Sequence, residues 1–180
     1  MTPAEPTLDQ LRPDPLPLRG RAAVVTGVSR RAGIGYAVAR RLAALGATVF
    51  LHHYRPHDRD QPWGEDPDGL QAVISGVRGA LADADAGASV HDTELDLALP
   101  DAPARLINAA AAACGHLDIL VCNHARSGGD GPLGTLDAGL LDAHWAVNTR
   151  SSILLAQAFA AQHDGRPAGR HAGQRKPGRA

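Results

Sequence analysis

The sequence predicts an α/β protein built on a doubly wound parallel sheet of about four strands, and three observations lead there. Short, continuous apolar runs alternate with segments in which apolar residues recur every three or four positions, the signature of covered strands between amphipathic helices. The first strand, helix and strand are complete within about 30 residues, the length of one βαβ unit. Between that first strand and first helix lies a loop punctuated by Gly27, Gly33 and Gly35.

The elements follow in chain order. Residues 1–20 hold Pro3, Pro6, Pro13, Pro15 and Pro17 with no apolar period, which predicts an irregular lead-in packed across a sheet edge or loose. Residues 21–26 are the first strand. Ile34, Val38, Leu42 and Leu45 then line one side of a helix that Gly46 stops. Residues 48–53 form the second strand, and the polar stretch 54–69 is expected to be a long loop, a length that points to function or mobility. Leu70, Val73, Ile74, Val77 and Leu81 make a helical stripe over 70–84, followed by a third strand at 88–95 that ends on Asp96. A helix runs from an Asp101 N-cap to Cys114, where Gly115 stops it. Residues 118–122 are a fourth, buried strand with Cys122 as inert core; Asn123-His124-Ala125 and a glycine-rich loop follow, through Gly134. Residues 136–162 are mostly helical, with Trp145 and Asn148 about one turn apart. From 163 to 180 there is no Val, Ile, Leu, Phe, Tyr or Trp, and the segment reads as a disordered basic tail. The organisation is thus a lead-in (1–20), one folded domain (21–162) and a tail (163–180).

Composition narrows the function classes. A hydrophobic share of 44% suits one sizeable core, and a formal net charge of −1 gives no general attraction to nucleic acid or membrane. No apolar run approaches the roughly 20 residues of a membrane span. Glu5 and Asp9 among prolines do not make a secretory leader, and Cys114 and Cys122 make no disulfide framework, so a cytoplasmic setting is expected. His52, His53 and His57 are close in sequence, but the first two point to opposite faces of a strand and no further ligand completes a metal set.

The glycine loop carries the chemistry. Thr26 and Gly27 end the first strand, and Gly33-Ile34-Gly35 opens the helix. A helix N-terminus offers free N–H groups and the positive end of the helix dipole to an anion. Gly27 can supply a backbone conformation other residues avoid, and Gly33 and Gly35 permit close approach of a ligand. This predicts a nucleotide cofactor site.

The order of these motifs resembles the short-chain dehydrogenase/reductase family from about Arg21 to Gln162. Its Thr-Gly-x-x-x-Gly-x-Gly loop is similar to Thr26-Gly27 and Gly33-Ile34-Gly35, here with five residues between the first two glycines instead of three. Asp96 resembles the aspartate that bonds the adenine. Asn123-His124-Ala125 resembles Asn-Asn-Ala-Gly, with His124 and Arg126 as departures, and Asn148 resembles the asparagine that holds a water in the proton relay. The resemblance implies a Rossmann-type fold, an NAD(P)(H)-dependent oxidoreductase acting on a small carbonyl or alcohol, and a homo-oligomer in the intact family. The widened loop is similar both to a 3-oxoacyl-[acyl-carrier-protein] reductase variant and to enoyl-acyl-carrier-protein reductases; the intact Thr-Gly and Gly-Ile-Gly favour the first.

Cofactor choice is argued from charge. An acid at the end of the second strand would accept bonds from a ribose diol and repel a 2′-phosphate. That place falls near His53, with Tyr54 and Arg55 following, and no acid stands there; Ser29, Arg30 and Arg55 can face a phosphate. NADP(H) is therefore expected over NAD(H).

The family's catalytic tyrosine, lysine and serine have no counterparts. The tyrosines are Tyr36 and Tyr54, the one lysine is Lys176, and Ser151 and Ser152 share the helix of Asn148. The resemblance implies a C-terminally truncated member, since a further strand is due where Gly165 and Arg166 stand, and an out-of-frame reading from about Ala168 would produce such a tail. A cofactor-binding but non-catalytic fragment is expected. A dinucleotide-binding regulatory module and an enoyl-reductase-like fragment are the alternatives; nonspecific nucleic-acid binding through the basic tail is the weakest.

Overall fold

The computed structural model describes residues 14–82 and 87–162. The expected disordered tail (163–180) and the first part of the lead-in lie outside the described residues.

Four strands form one sheet: β1 (Ala22–Val25), β2 (Thr48–His53), β3 (Val90–Glu94) and β4 (Ile119–Val121). All pairings are parallel and the spatial order is β3-β2-β1-β4. Ala23 lies between Val49 and Ile119, which sets the register of the centre. Parallel neighbours need crossovers, and α1 (Ile34–Ala44), α2 (Arg55–Arg59), α3 (Gly69–Arg78) and α4 (Ala102–Cys114) supply them, while α5 (Ala138–His144) and α6 (Ser151–Ala161) follow β4. A π-helical turn, Trp145–Arg150, joins α5 to α6.

Side chains alternate between two cores, as the period of a strand requires. Val25, Val49 and Leu51 pack against Ala39 and Ala43 of α1 and Val73, Ile74 and Val77 of α3. Val24 and Phe50 pack the opposite way, against Leu106 and Ile107 of α4 and Leu155 of α6. Helices on both faces make this the doubly wound sheet that the sequence predicts.

Several details differ from expectation. The buried line of α1 is Gly35, Ala39 and Ala43, one position on from the predicted stripe, and Ile34 is 76% exposed. Small residues at the contact bring the helix axis close to the sheet, and the larger Val38 and Leu42 pack to its sides. The helix predicted over 70–84 ends at Arg78, with Gly79 at its C-cap, so Leu81 packs from beyond the helix. The polar stretch 54–69 is not simply a loop, because α2 lies inside it. β4 is an edge strand and only half-buried, and Cys122 is exposed, not core.

Residues 14–20 turn beneath the sheet: Leu18 N donates to Leu45 O (3.0 Å), and Leu18 packs on the α1–α3 core. No helix among the described residues is long and apolar enough to cross a membrane.

Candidate functional site

β1 sits between β2 and β4, and the crossovers that lead into these two neighbours, α1 and α4, cover opposite faces of the sheet. A crevice opens where strand order reverses in this way. It holds a cavity of about 650 Å³ lined from the loop after β1, from His52 of β2 and the stretch after it, from the stretch after β3 and from the loop after β4.

The floor is built first. Gly27 takes φ +72°, and a Cβ there would stand 2.8 Å from His124 Cα. A Cβ on Gly35 would stand 2.6 Å from both Gly27 O and Asn123 Nδ2. Neither position has room for a side chain. Thr26 is fully buried, and its Oγ1 accepts from Asn123 N (2.9 Å) and His124 N (3.2 Å). Asn123 Nδ2 donates to Thr26 O and Gly27 O, both at 3.1 Å. Asn123 therefore ties the glycine loop to the loop after β4. Gly33 is the N-cap of α1, with no side-chain cap and no acid in the first turn, so nothing there competes for an anion.

Two histidines support this floor, His52 buried and His124 half-buried. His52 Nε2 donates to Leu95 O (2.8 Å), which leaves Nδ1 to accept from Gly27 N (3.3 Å). Burial pushes its pKa down to about 4, so the neutral ring that this pairing needs is the stable form near neutrality. His124 joins Thr26 Oγ1 (2.7 Å, at Nδ1) to Ser151 Oγ (2.6 Å, at Nε2), with Val147 O at 3.1 Å from Nε2. Burial lowers its pKa too. The carbonyl of Val147 lies inside the π-helical turn and also accepts from Ser151 Oγ, a place where regular helical pairing is interrupted.

The walls come from elements distant in sequence. Asp96 lines the cavity, and its Oδ1 accepts from Ala98 N (2.8 Å). Tyr54 faces it: burial and then the Asp96 carboxylate, to which the phenol is hydrogen-bonded, raise the Tyr54 pKa. Asp58 of α2 is buried, and accepts from Ser29 Oγ, from Arg30 Nε (3.1 Å) and from Trp63 Nε1 (3.0 Å). The guanidinium of Arg30 lies 5.2 Å from the centre of the Trp63 ring. One turn further, Asp66 accepts from Arg31 N (2.8 Å) and Arg31 Nη2 (2.8 Å), and Asp68 accepts from the same Nη2. These bonds hold the Asp66 carboxyl below its usual range.

The residues singled out from the sequence divide into three groups. Gly27, Ser29, Arg30, Gly33, Ile34, Asp96, Asn123 and Ala125 line the cavity. Thr26 and Gly35 lie directly beneath it. His53, Arg55 and Asn148 are not in its lining. His53 points to the other face of the sheet, where its Nε2 is 3.3 Å from Asp92 Oδ2, and Arg55 Nε donates to Glu94 Oε2 (2.9 Å). The sheet's alternation decides this: His52 and Tyr54 take the cavity side instead. Asn148 Oδ1 accepts from Arg126 N (2.7 Å) and its Nδ2 donates to Arg126 O (3.1 Å), which fixes the loop after β4 against the π-helical turn. Sequence reasoning missed Asp58 and Trp63. The only signal for either was the length of the polar stretch they belong to.

The fold and this crevice define a class, the Rossmann-type α/β proteins that place a ligand at a glycine loop. The model of the short chain dehydrogenase family matches residues 21–171, so the match runs past 162. The chain belongs to the short-chain dehydrogenase/reductase family, whose members are oxidoreductases. Among curated relatives, the uncharacterized oxidoreductase YjdA of Bacillus subtilis is 32% identical over 78% of this chain and 49% of its own. The L-xylo-3-hexulose reductase of Hypocrea jecorina is 32% identical over 80% of this chain and 48% of its own. The chain spans about half the length of these relatives. Among solved structures, a metagenomic short-chain oxidoreductase in complex with NADP has a TM-score of 0.64 and 37% identity, covering 81% of this chain and 57% of its own. The 3-oxoacyl (acyl-carrier-protein) reductase of Agrobacterium tumefaciens C58 with NADP bound has a TM-score of 0.64 and 31% identity, over 82% and 49%.

Proposed function

We propose that this chain is the nucleotide-binding part of an NAD(P)(H)-dependent oxidoreductase, that it takes NADP(H) in preference to NAD(H), and that these 180 residues bind the cofactor without turning over a substrate. The observation that carries the reading is the cradle of Gly27 and Gly35, where a Cβ would strike backbone, beneath an α1 N-terminus left free of side-chain caps. Its shape and polarity fit a pyrophosphate. Asp96, with Tyr54 beside it, suits the adenosine end, and Asn123 and Ala125 hold the loop that borders the cavity. Arg30 and Ser29 are the groups nearest in kind to a 2′-phosphate site, and two of the similar structures carry NADP. Bound there, the nicotinamide would supply hydride chemistry on a small carbonyl or alcohol. The 3-oxoacyl reductases are the reading for substrate class that the intact Thr-Gly and Gly-Ile-Gly favour.

The side chains present supply no acid for turnover. Tyr36 lies on α1 with its ring against Gly76 of α3, and Tyr54 is bonded to Asp96, so neither is placed as a proton donor with a lysine beside it. Ser151 is buried beneath His124. Asn148, the relay residue that the family resemblance implies, has its amide engaged by the Arg126 backbone outside the cavity lining.

Titration of the chain with NADPH and NADH, followed by nicotinamide fluorescence, tests binding and preference. Turnover against a panel of ketones tests the rest. The expected result is saturable NADPH binding, weaker NADH binding and no ketone-dependent oxidation. Absence of nucleotide binding overturns the assignment, and ketone turnover overturns its non-catalytic part.

A further inference from the structure

The glycine loop carries two residues more than the family's pattern, and the stretch after β2 carries a folded excursion. The structure joins the two. Asp58 comes from the excursion and meets Ser29 and Arg30 of the widened loop, 29 and 28 residues earlier in the chain. Its carboxylate is nearly removed from water, and three donors converge on it. A carboxylate so placed holds its donors in fixed directions, because each bond to it is charge-assisted and leaving it would strand a buried charge.

The geometry of Arg30 gives this a consequence. Asp58 engages Nε, the inner edge of the guanidinium, and Arg30 Cζ stands over the Trp63 ring, 5.2 Å from its centre. An arginine held at Nε and set over a ring keeps its two terminal nitrogens as the free edge. That edge is a planar fork suited to phosphate, with much of its rotational freedom already lost. Arg30 also lines the cavity. Resting on the NADP(H) reading above, we infer that Asp58 is the positioning residue of the 2′-phosphate site: it does not touch the nucleotide but aims Arg30 at it.

The consequence is a preference that depends on a carboxylate. Removing Asp58 increases local positive charge, yet the site loses selectivity, because an unanchored Arg30 must be ordered again on each binding event. A role confined to folding would lower affinity for every nucleotide alike.

The test uses the full chain with 2′,5′-ADP and 5′-AMP as probes, which differ in the 2′-phosphate alone. Affinities are measured by calorimetry for wild type, Asp58→Asn, Arg30→Ala and the double variant. The wild type is expected to prefer 2′,5′-ADP, and Asp58→Asn to cut that preference about tenfold while 5′-AMP affinity stays within about twofold. In the Arg30→Ala background, Asp58→Asn is expected to change the preference no further. An undiminished preference in Asp58→Asn overturns the inference and leaves the NADP(H) reading standing. A wild type that binds both probes equally overturns the NADP(H) reading and this inference with it. Should Asp58→Asn weaken both probes together, Trp63→Phe decides, since it deletes one donor to Asp58 and keeps a ring beside Arg30. A reduced preference in Trp63→Phe supports the positioning role, and an unchanged one overturns it.

Discussion

At the scale of single residues, His52 couples the cofactor floor to pH. Its Nδ1 accepts from Gly27 N only when that nitrogen carries no proton. A folded-state pKa of about 4 lies below the unfolded value of 6.5, so between those limits the unfolded chain binds more protons than the folded one. Stability is therefore complete above pH 6.5 and is lost as pH falls toward 4. The effect is on the order of 3 kcal/mol if the unfolded value is ordinary. Chemical denaturation at pH 7 and pH 4.5 should show the loss, and His52→Asn, which has an acceptor and no proton to gain, should show much less of it. A wild-type midpoint that does not move over that range would refute the assignment. His124 is lowered by burial as well and adds in the same direction.

The choice between His52 and His53 shows how much of this was legible beforehand. The run 48–53 is a strand by its apolar content, and its end borders the cavity proposed for the cofactor. Which of two adjacent histidines faces the cavity follows from the register of β2 against β1 and from which face each helix covers. Those are pairings between distant parts of the chain, and local spacing does not contain them. The glycines were legible because their loop has its own geometric reason, whereas Asp96 and Asn123, which also line the cavity, were singled out by their place in the family's order of motifs.

At the scale of elements, the excursion from 54 to 69 behaves as a brace. It is a polar stretch with no apolar period, so its sequence predicts a loop. Its order comes from carboxylates that find partners on the glycine loop: Asp58 with Ser29 and Arg30, and Asp66 and Asp68 with Arg31. Asp66 is buried and bonds the Arg31 backbone as well as its side chain. Asp66→Ala should release the far end of this brace while the sheet stays folded. Tryptic cleavage after Arg59 is expected to quicken about tenfold, as local opening becomes easier by about 1.4 kcal/mol. Cleavage at the wild-type rate would mean that the brace is held by other contacts. The long C-terminal helix illustrates the complementary case. Its helical content was plain from composition, whereas the π-helical turn was not, because that turn is fixed by Asn148 on Arg126 and His124 on Ser151.

At the scale of the whole molecule, the two cores are unequally covered. The β1–β2 centre is sealed, but β4 is a half-buried edge, and Leu133, Leu141, Trp145 and Ile153 are exposed along the C-terminal segment. Unpaired strand edges and apolar side chains in water favour association. The purified chain is expected to elute as oligomers or aggregate in light-scattering chromatography and to bind a hydrophobic dye when cold. A monodisperse monomer that melts cooperatively would contradict this.

By itself the sequence determined the order of the four strands and of the long helices between them, the doubly wound class, the glycine loop and the family, because each rests on local periodicity or on a run of motifs in order. The tertiary structure decided what the widened loop rests on. Asp58 meets Ser29 and Arg30 across 29 and 28 residues of chain, and His124 meets Ser151 across 27. Such contacts are set by how the sheet and its crossovers fold back, and the residues making them carry no mark of it in their own neighbourhood.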